Sequence, residues 1–144
     1  MVQVWLAGDR LEIHLTGEDT GGSHCLVRDH PSPSFALVEH VHRNEDETIH
    51  ILDGTFDLVM DGTSRELGPG DTAFVPRGTA HAIRNTGPTT GCRMLVFCPA
   101  GIERFFLEAG TVSEDDRVDG RALRAAAERH GWEVLTGTDG KVGA

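Results

Sequence analysis

Three histidines and one glutamate in this chain have the types and spacing to hold a metal ion. His40 and His42 are one residue apart, so on a β-strand both imidazoles leave the same face, while Glu39 and Val41 leave the other. Two imidazoles so placed can share a cation. Arg43 to Asp46 reads as a polar turn, and a chain returning antiparallel from it sets Glu47 across from the histidine pair. On that returning strand Glu47, Ile49 and Ile51 share the inner face, whereas Thr48, His50 and Leu52 face away, so His50 is not read as a ligand. His81 follows the stiff Pro76-Arg77-Gly78 bend and can complete a set of three imidazoles and one carboxylate. Such a mixed set suits Fe, Mn, Co, Ni, Cu or Zn rather than Ca or Mg. A lone strand histidine is more often packed or surface-exposed, and His14, His24, His30, His50 and His130 are read that way. Four costly polar groups turned into a barrel, by contrast, require mutual compensation, which one bound divalent transition metal ion per chain would provide.

These residues need a β scaffold. From Val2 to Cys98 short β-branched or alternating runs are broken by Gly, Pro, Asp and Asn, the pattern of an all-β sandwich or barrel. Phe35–Arg43, Thr48–Leu52, Thr55–Met60, Thr72–Val75, His81–Asn85 and Cys92–Cys98 read as strands, with Asp53-Gly54 and Asp61-Gly62 as tight turns in a meander of hairpins. After Pro99 the period changes. Ile102, Phe105, Phe106 and Ala109 recur at helical spacing up to Gly110, and Leu123, Ala126, Ala127 and His130 mark a second helix between a cap at Asp119 and a stop at Gly131. The expected organisation is a β-barrel over residues 1–100 and a helical extension over 101–144, with a loose tail from Thr136 to Ala144.

Composition bounds the partners. The 144 residues carry a formal charge of −10 and 38% hydrophobic content, enough for one core and no second enzymatic domain. An acidic surface repels nucleic acid and anionic lipid, which leaves small molecules or another protein. Cys25, Cys92 and Cys98 are odd in number and lack paired short spacings, so they read as reduced thiols. With no signal peptide and no membrane-length apolar run, the expected location is cytoplasmic. Outward-facing Phe35, Leu37 and Val41, together with strands Val2 to Leu15 in need of a partner sheet, point to a homodimer.

The four site residues also resemble both signature motifs of the cupin superfamily. In the first, G-x5-H-x-H-x3,4-E-x6-G, the matching positions are His40, His42, Glu47 and Gly54; in the second, G-x5-P-x-G-x2-H-x3-N, they are Gly70, Pro76, Gly78, His81 and Asn85. Ser34 stands where the first glycine is expected, a departure that bears on backbone freedom more than on metal binding. The resemblance covers Ser34 to Asn85, with flanking strands and trailing helices similar to small single-domain cupins grouped with quercetin dioxygenase. It implies a double-stranded β-helix, or jelly-roll barrel, often dimeric, with His40, His42, Glu47 and His81 as metal ligands near one mouth.

Function follows as an expectation. Four protein ligands leave one or two coordination positions open, so the metal can polarise a carbonyl, bind an enolate or activate dioxygen. The leading reading is a metal-dependent oxygenase acting on a small, partly apolar organic molecule, as in quercetinase-like cupins. Glu47 serves in it both as a ligand and, once displaced, as a general base. A redox-neutral isomerase, cyclase, dehydratase or lyase is the alternative, and a non-catalytic metabolite-binding or sensing protein is the rival from another class. Asn85 is read as a turn-stabilising hydrogen bonder, and Phe105 and Phe106 either cap the barrel mouth or pack in the core.

Overall fold

A computed structural model describes residues 1–135; the expected tail from Thr136 to Ala144 lies outside the described residues. Eleven strands and three helices run in the order β1 (Val2–Leu6), β2 (Asp9–Leu15), α1 (Gly17–Thr20), β3 (Cys25–His30), β4 (Ala36–His42), β5 (Asp46–Asp53), β6 (Phe56–Met60), β7 (Thr63–Leu67), β8 (Thr72–Val75), β9 (His81–Asn85), β10 (Cys92–Cys98), α2 (Glu103–Ala109), α3 (Gly120–Arg129) and β11 (Trp132–Val134). The strands form two antiparallel sheets, β1-β2-β3-β10-β5-β8 and β11-β4-β9-β6-β7. They face each other across a core of inward residues such as Val27, Ile49, Ile51, Phe56, Leu58 and Phe97. This is the expected all-β double-stranded helix.

The expected meander of hairpins is corrected by the pairing. Of the two Asp-Gly pairs, Asp61-Gly62 closes a two-residue hairpin, β6 to β7, with both residues at positive φ (52° and 75°), as a turn matching the strand twist requires. The Asp53-Gly54 pair instead carries the chain from one sheet to the other, and so does the Arg43 to Glu45 turn, because β4 and β5 lie in opposite sheets. Strand β4 pairs with β9, and β5 pairs with β10 and β8. Early in the chain, Gly17–Thr20 closes into the single-turn helix α1, where the Asp19 carboxylate accepts the Thr16 backbone N–H at 2.9 Å.

A second correction concerns β4. Its partners on β9 run Ala36↔Arg84, Leu37↔Ile83, then His40↔His81, so one extra residue is accommodated between Leu37 and His40. This β-bulge resets the alternation. Leu37 and His40 both point inward despite their odd separation, and Phe35 and Val41 are also buried. Strands β1 and β2 complete a sheet within the chain by pairing onto β3. The apolar residues that suggested a dimer are therefore already covered in a single chain.

Beyond residue 100 the chain contributes a strand as well as helices. Buried Ile102, Phe105, Phe106 and Ala109 pack α2 onto the barrel, and Leu123, Ala126 and Ala127 do the same for α3, whose first turn is capped by Asp119 accepting from the Ala122 N–H. Gly131 then turns the chain at φ 82°, and β11 adds antiparallel to the free edge of β4, pairing Trp132 with His42 and Val134 with His40. None of the helices among the described residues is long and apolar enough to cross a membrane. All three cysteines are free, and burial followed by the neighbouring Glu103 charge pushes the Cys25 thiol up to about 12, which makes it inert.

One buried ion pair closes the barrel interior. Arg93 on β10 faces Asp29 on β3 as its cross-strand partner and donates from Nε to Oδ1 at 3.0 Å and from Nη2 to Oδ2 at 2.5 Å. Its guanidinium also sits 4.8 Å from the Phe35 ring centre. Asp29→Asn should leave that cation uncompensated and lower stability by about 3–5 kcal/mol, while replacing both partners with apolar residues of similar volume should cost far less. Urea denaturation checks this, and a loss below about 1 kcal/mol for Asp29→Asn would show that the pair is not desolvated as described.

Candidate metal centre

The bulge in β4 and the start of β9 bring three imidazoles together. His40, His42 and His81 are all buried, and one nitrogen of each lies within 4.8 Å of the others. His40 and His81 are cross-strand partners. Each has its Nδ1 beside the carbonyl two residues earlier in the chain, Val38 O at 2.7 Å for His40 and Thr79 O at 3.0 Å for His81. A ring held through Nδ1–H turns its Nε2 lone pair inward, the usual arrangement of a metal-binding histidine. The His81 strand is set by the preceding bend, where Gly78 at φ 77° donates its N–H to the His42 carbonyl.

Glu47 arrives from the opposite sheet rather than from a neighbouring strand. Its Oε1 lies 3.4 Å from His42 Nε2 and 3.3 Å from His81 Nε2, so the carboxylate faces the histidine cluster across the barrel. The inner-face reading of β5 holds: Glu47, Ile49 and Ile51 are buried, while His50 turns outward with its Nδ1 2.7 Å from Thr72 Oγ1. The structure thus brings together all four residues expected from the sequence. It does so by a route that differs from the expected hairpin for Glu47.

The electrostatics describe a site organised for a cation. Burial would raise the Glu47 carboxyl, but the hydrogen bonds and charges of His42 and His81 outweigh it and hold Glu47 well below the usual carboxylate range. Burial would lower His81, and Glu47 reverses that, so the His81 ring holds its proton more tightly than a free imidazole. His40 moves the other way. Burial first, then the neighbouring His81 and His42 charges, depress it well below the ordinary value, which leaves a neutral ring. His40 Nε2 is buried with no hydrogen-bond partner, a cost that a nitrogen lone pair escapes by ligating a metal. Donor set and convergence fit a metal ion among His40, His42 and His81, with the Glu47 carboxylate facing two of the three rings.

Several residues that shape the site were not singled out in the sequence. Trp132 stacks on His40 with ring centres 4.8 Å apart and planes within 17°, and meets His42 edge-on at 4.7 Å. A Gly stop followed by Trp-Glu-Val, an alternating β-prone triplet, was the available signal. Phe106 and Phe97 extend the aromatic wall, so Phe106 shapes the cavity, while Phe105 packs behind it against Trp132. Arg93, Asp29 and Asp9 line the cavity's remaining polar edge. Asn85 does what was expected, donating to Pro31 O, Ser32 O and Thr89 O and accepting from Gly87 N–H. The space open to the centre of a water-sized sphere is about 40 Å³, room for a few waters.

Glu45, placed by sequence in a solvated turn, is 3% exposed, and its Oε1 has no partner. Burial, reinforced by Glu103 and Glu47 and opposed by Arg77, pushes its carboxyl up to about 7. A carboxyl raised on folding binds its proton more tightly in the folded chain, so it costs nothing well below its unfolded value of 4.5 and progressively more as pH climbs through about 7. Glu45→Gln should accordingly be near neutral in stability at pH 4 and stabilising by roughly 1–3 kcal/mol at pH 8. Denaturant titrations of metal-free protein at the two pH values test this, and an effect independent of pH would contradict it.

Metal content tests whether the outward face of β5, which carries His50, lies outside the site. His42→Ala should abolish tight binding of a transition ion, whereas His50→Ala should retain close to one equivalent per chain. Elemental analysis after dialysis against Co(II) or Zn(II) provides the measurement. Equal loss in both variants would overturn the assignment of the inner face.

Comparison with known proteins agrees with this geometry. A cupin domain family model matches residues 26–98, about half of the chain. The chain is 37% identical over 68 residues to quercetin 2,3-dioxygenase of Bacillus subtilis and 35% identical over 63 residues to an uncharacterized protein of Aquifex aeolicus. These matches cover 47% and 44% of this chain but only 20% and 51% of the two relatives. Among solved structures, KdgF from Halomonas sp. superposes with a TM-score of 0.60 at 21% identity, over 67% of this chain and 84% of that one, which shows a shared fold. With both signature motifs converging on one buried histidine and carboxylate cluster inside a double-stranded β-helix, the chain belongs to the cupin family.

Proposed function

We propose that this cupin is a metal-dependent enzyme that oxygenates a small organic molecule at the His40, His42, Glu47 and His81 centre. The observation that carries the metal reading is the convergence of three buried imidazoles, His40 Nε2 among them without a partner, beside a buried carboxylate. A bound ion would supply Lewis acidity and, if redox-active, electron exchange with dioxygen. Support for oxygenation comes from the 37% identity to a quercetin 2,3-dioxygenase, in a segment that includes too little of that relative to carry its substrate over.

The chain's own residues narrow the substrate. A space of about 40 Å³ between Leu37, Ile83, Phe106 and Trp132 favours a compact molecule of a few heavy atoms. As ligands, three neutral imidazoles and one carboxylate leave a divalent ion with one uncompensated positive charge, and Arg93 is already neutralised by Asp29. A substrate that enters as an anion, such as a small carboxylate, balances that charge. Glu47 faces the His42 and His81 nitrogens at 3.4 and 3.3 Å and is placed to accept a proton that the bound substrate gives up in a later step.

Oxygen uptake by metal-loaded protein, measured over a panel of small oxo acids, hydroxy acids and phenols, tests the reaction class. One dioxygen consumed per product formed supports the proposal. Product without oxygen uptake would assign a redox-neutral isomerase or lyase, and tight binding without product a metabolite sensor. At matched metal occupancy, Glu47→Gln should lower kcat by a factor of about a hundred or more, and a wild-type rate would reduce Glu47 to a ligand alone.

A further inference from the structure

We propose that Trp132 is a positioning residue of the metal centre, holding the His40 ring in its ligating orientation from a strand that lies outside the segment matched to the cupin family. The inference rests on the reading of His40, His42, Glu47 and His81 as a metal site. The matched segment ends at residue 98, whereas β11 spans Trp132–Val134, yet β11 pairs directly with the ligand strand β4. Trp132 stands opposite His42 in that pairing, and its indole covers His40 in a near-parallel stack while presenting its face or edge to His42 at 78°.

His40 has few other restraints. Its Nδ1 bond to Val38 O fixes one end of the ring, but Val38 lies in the bulge, where the ladder of β4 and β9 is interrupted. His81, in contrast, is fixed both by Thr79 O and by Glu47, and His42 also faces Glu47. His40 Nε2 has no hydrogen bond at all. The indole is thus the only ring stacked flat on His40 among the described residues, and it blocks rotation of the imidazole out of the cluster. Phe105 braces the indole from behind at 5.6 Å, tying α2 to the same stack.

The test uses the full chain and Co(II) as the probe. With Trp5 replaced by Phe, Trp132 is the single tryptophan. Its emission should quench on Co(II) addition and saturate at one equivalent, and His40→Ala should shift the emission of the metal-free protein. Trp132→Phe, which keeps an aromatic face, should bind Co(II) within about threefold of the parent. Trp132→Leu and Trp132→Met, each checked by circular dichroism for the parent fold, should bind roughly 10–100-fold more weakly, as expected for residues that orient ligands. Their Co(II) visible spectra should also change, showing an altered ligand field rather than a general loss of stability. If folded Leu or Met variants keep the parent affinity and spectrum, the positioning role is overturned while the metal site stands. If the parent chain itself takes up no Co(II), the metal reading fails, and this inference with it.

Discussion

The site depends on one constraint: ionisable groups turned into an apolar barrel must compensate one another or the fold does not tolerate them. Glu47 is buried among Phe97, His42 and His81, and only the facing imidazoles let it stay ionised there. The same contact makes His81 hold a proton more tightly than a free imidazole, as a carboxylate that favours any cation beside it should. Because Glu47 comes from one sheet and the histidines from the other, this compensation also spans the two layers. The charge balance of the centre and the closure of the barrel are therefore one interaction.

A similar economy governs the rest of the interior. Arg93 and Asp29 satisfy each other across adjacent strands, which removes a free cation from the cavity wall. Glu103, at the start of α2, accepts the Gly17 and Gly101 N–H groups and so ties α1 and the α2 entry to the barrel. Glu45 is the group left without full compensation, and its raised carboxyl is the physical expression of that deficit.

How much of this was legible in the sequence follows from the range of each interaction. The cluster of three histidines and Glu47 was readable because strand alternation and the two fixed motifs act over short spans, and the backbone carbonyls that orient His40 and His81 lie only two residues away from them. The route of Glu47 was not, since a polar turn such as Arg43 to Asp46 serves a hairpin and a sheet crossing equally well, and only nonlocal pairing decides between them. The bulge at Val38 and Glu39 inverted the faces assigned to Phe35 and Leu37 for the same reason: a single inserted residue leaves the composition unchanged while shifting the parity of everything before it. Asp53-Gly54 and Asp61-Gly62 are chemically alike, yet only the second closes a hairpin.

The hardest feature to read was the contribution of the C-terminal strand, and its physics explains why. Three residues of β11 form no stable element alone; they are ordered by the free edge of β4 and by burial of Trp132 and Val134. That edge exists only once β4 has paired with β9, so the docking of β11 is conditional on the barrel that carries the ligands. Covering the edge also removes an exposed row of backbone groups from the strand bearing His40 and His42, which would otherwise be open to water or to another chain. The orientation of the clustered imidazoles is thus encoded in two ranges at once: locally, by carbonyls two residues from each of two histidines, and remotely, by an aromatic strand that arrives after α3 and seals the same edge.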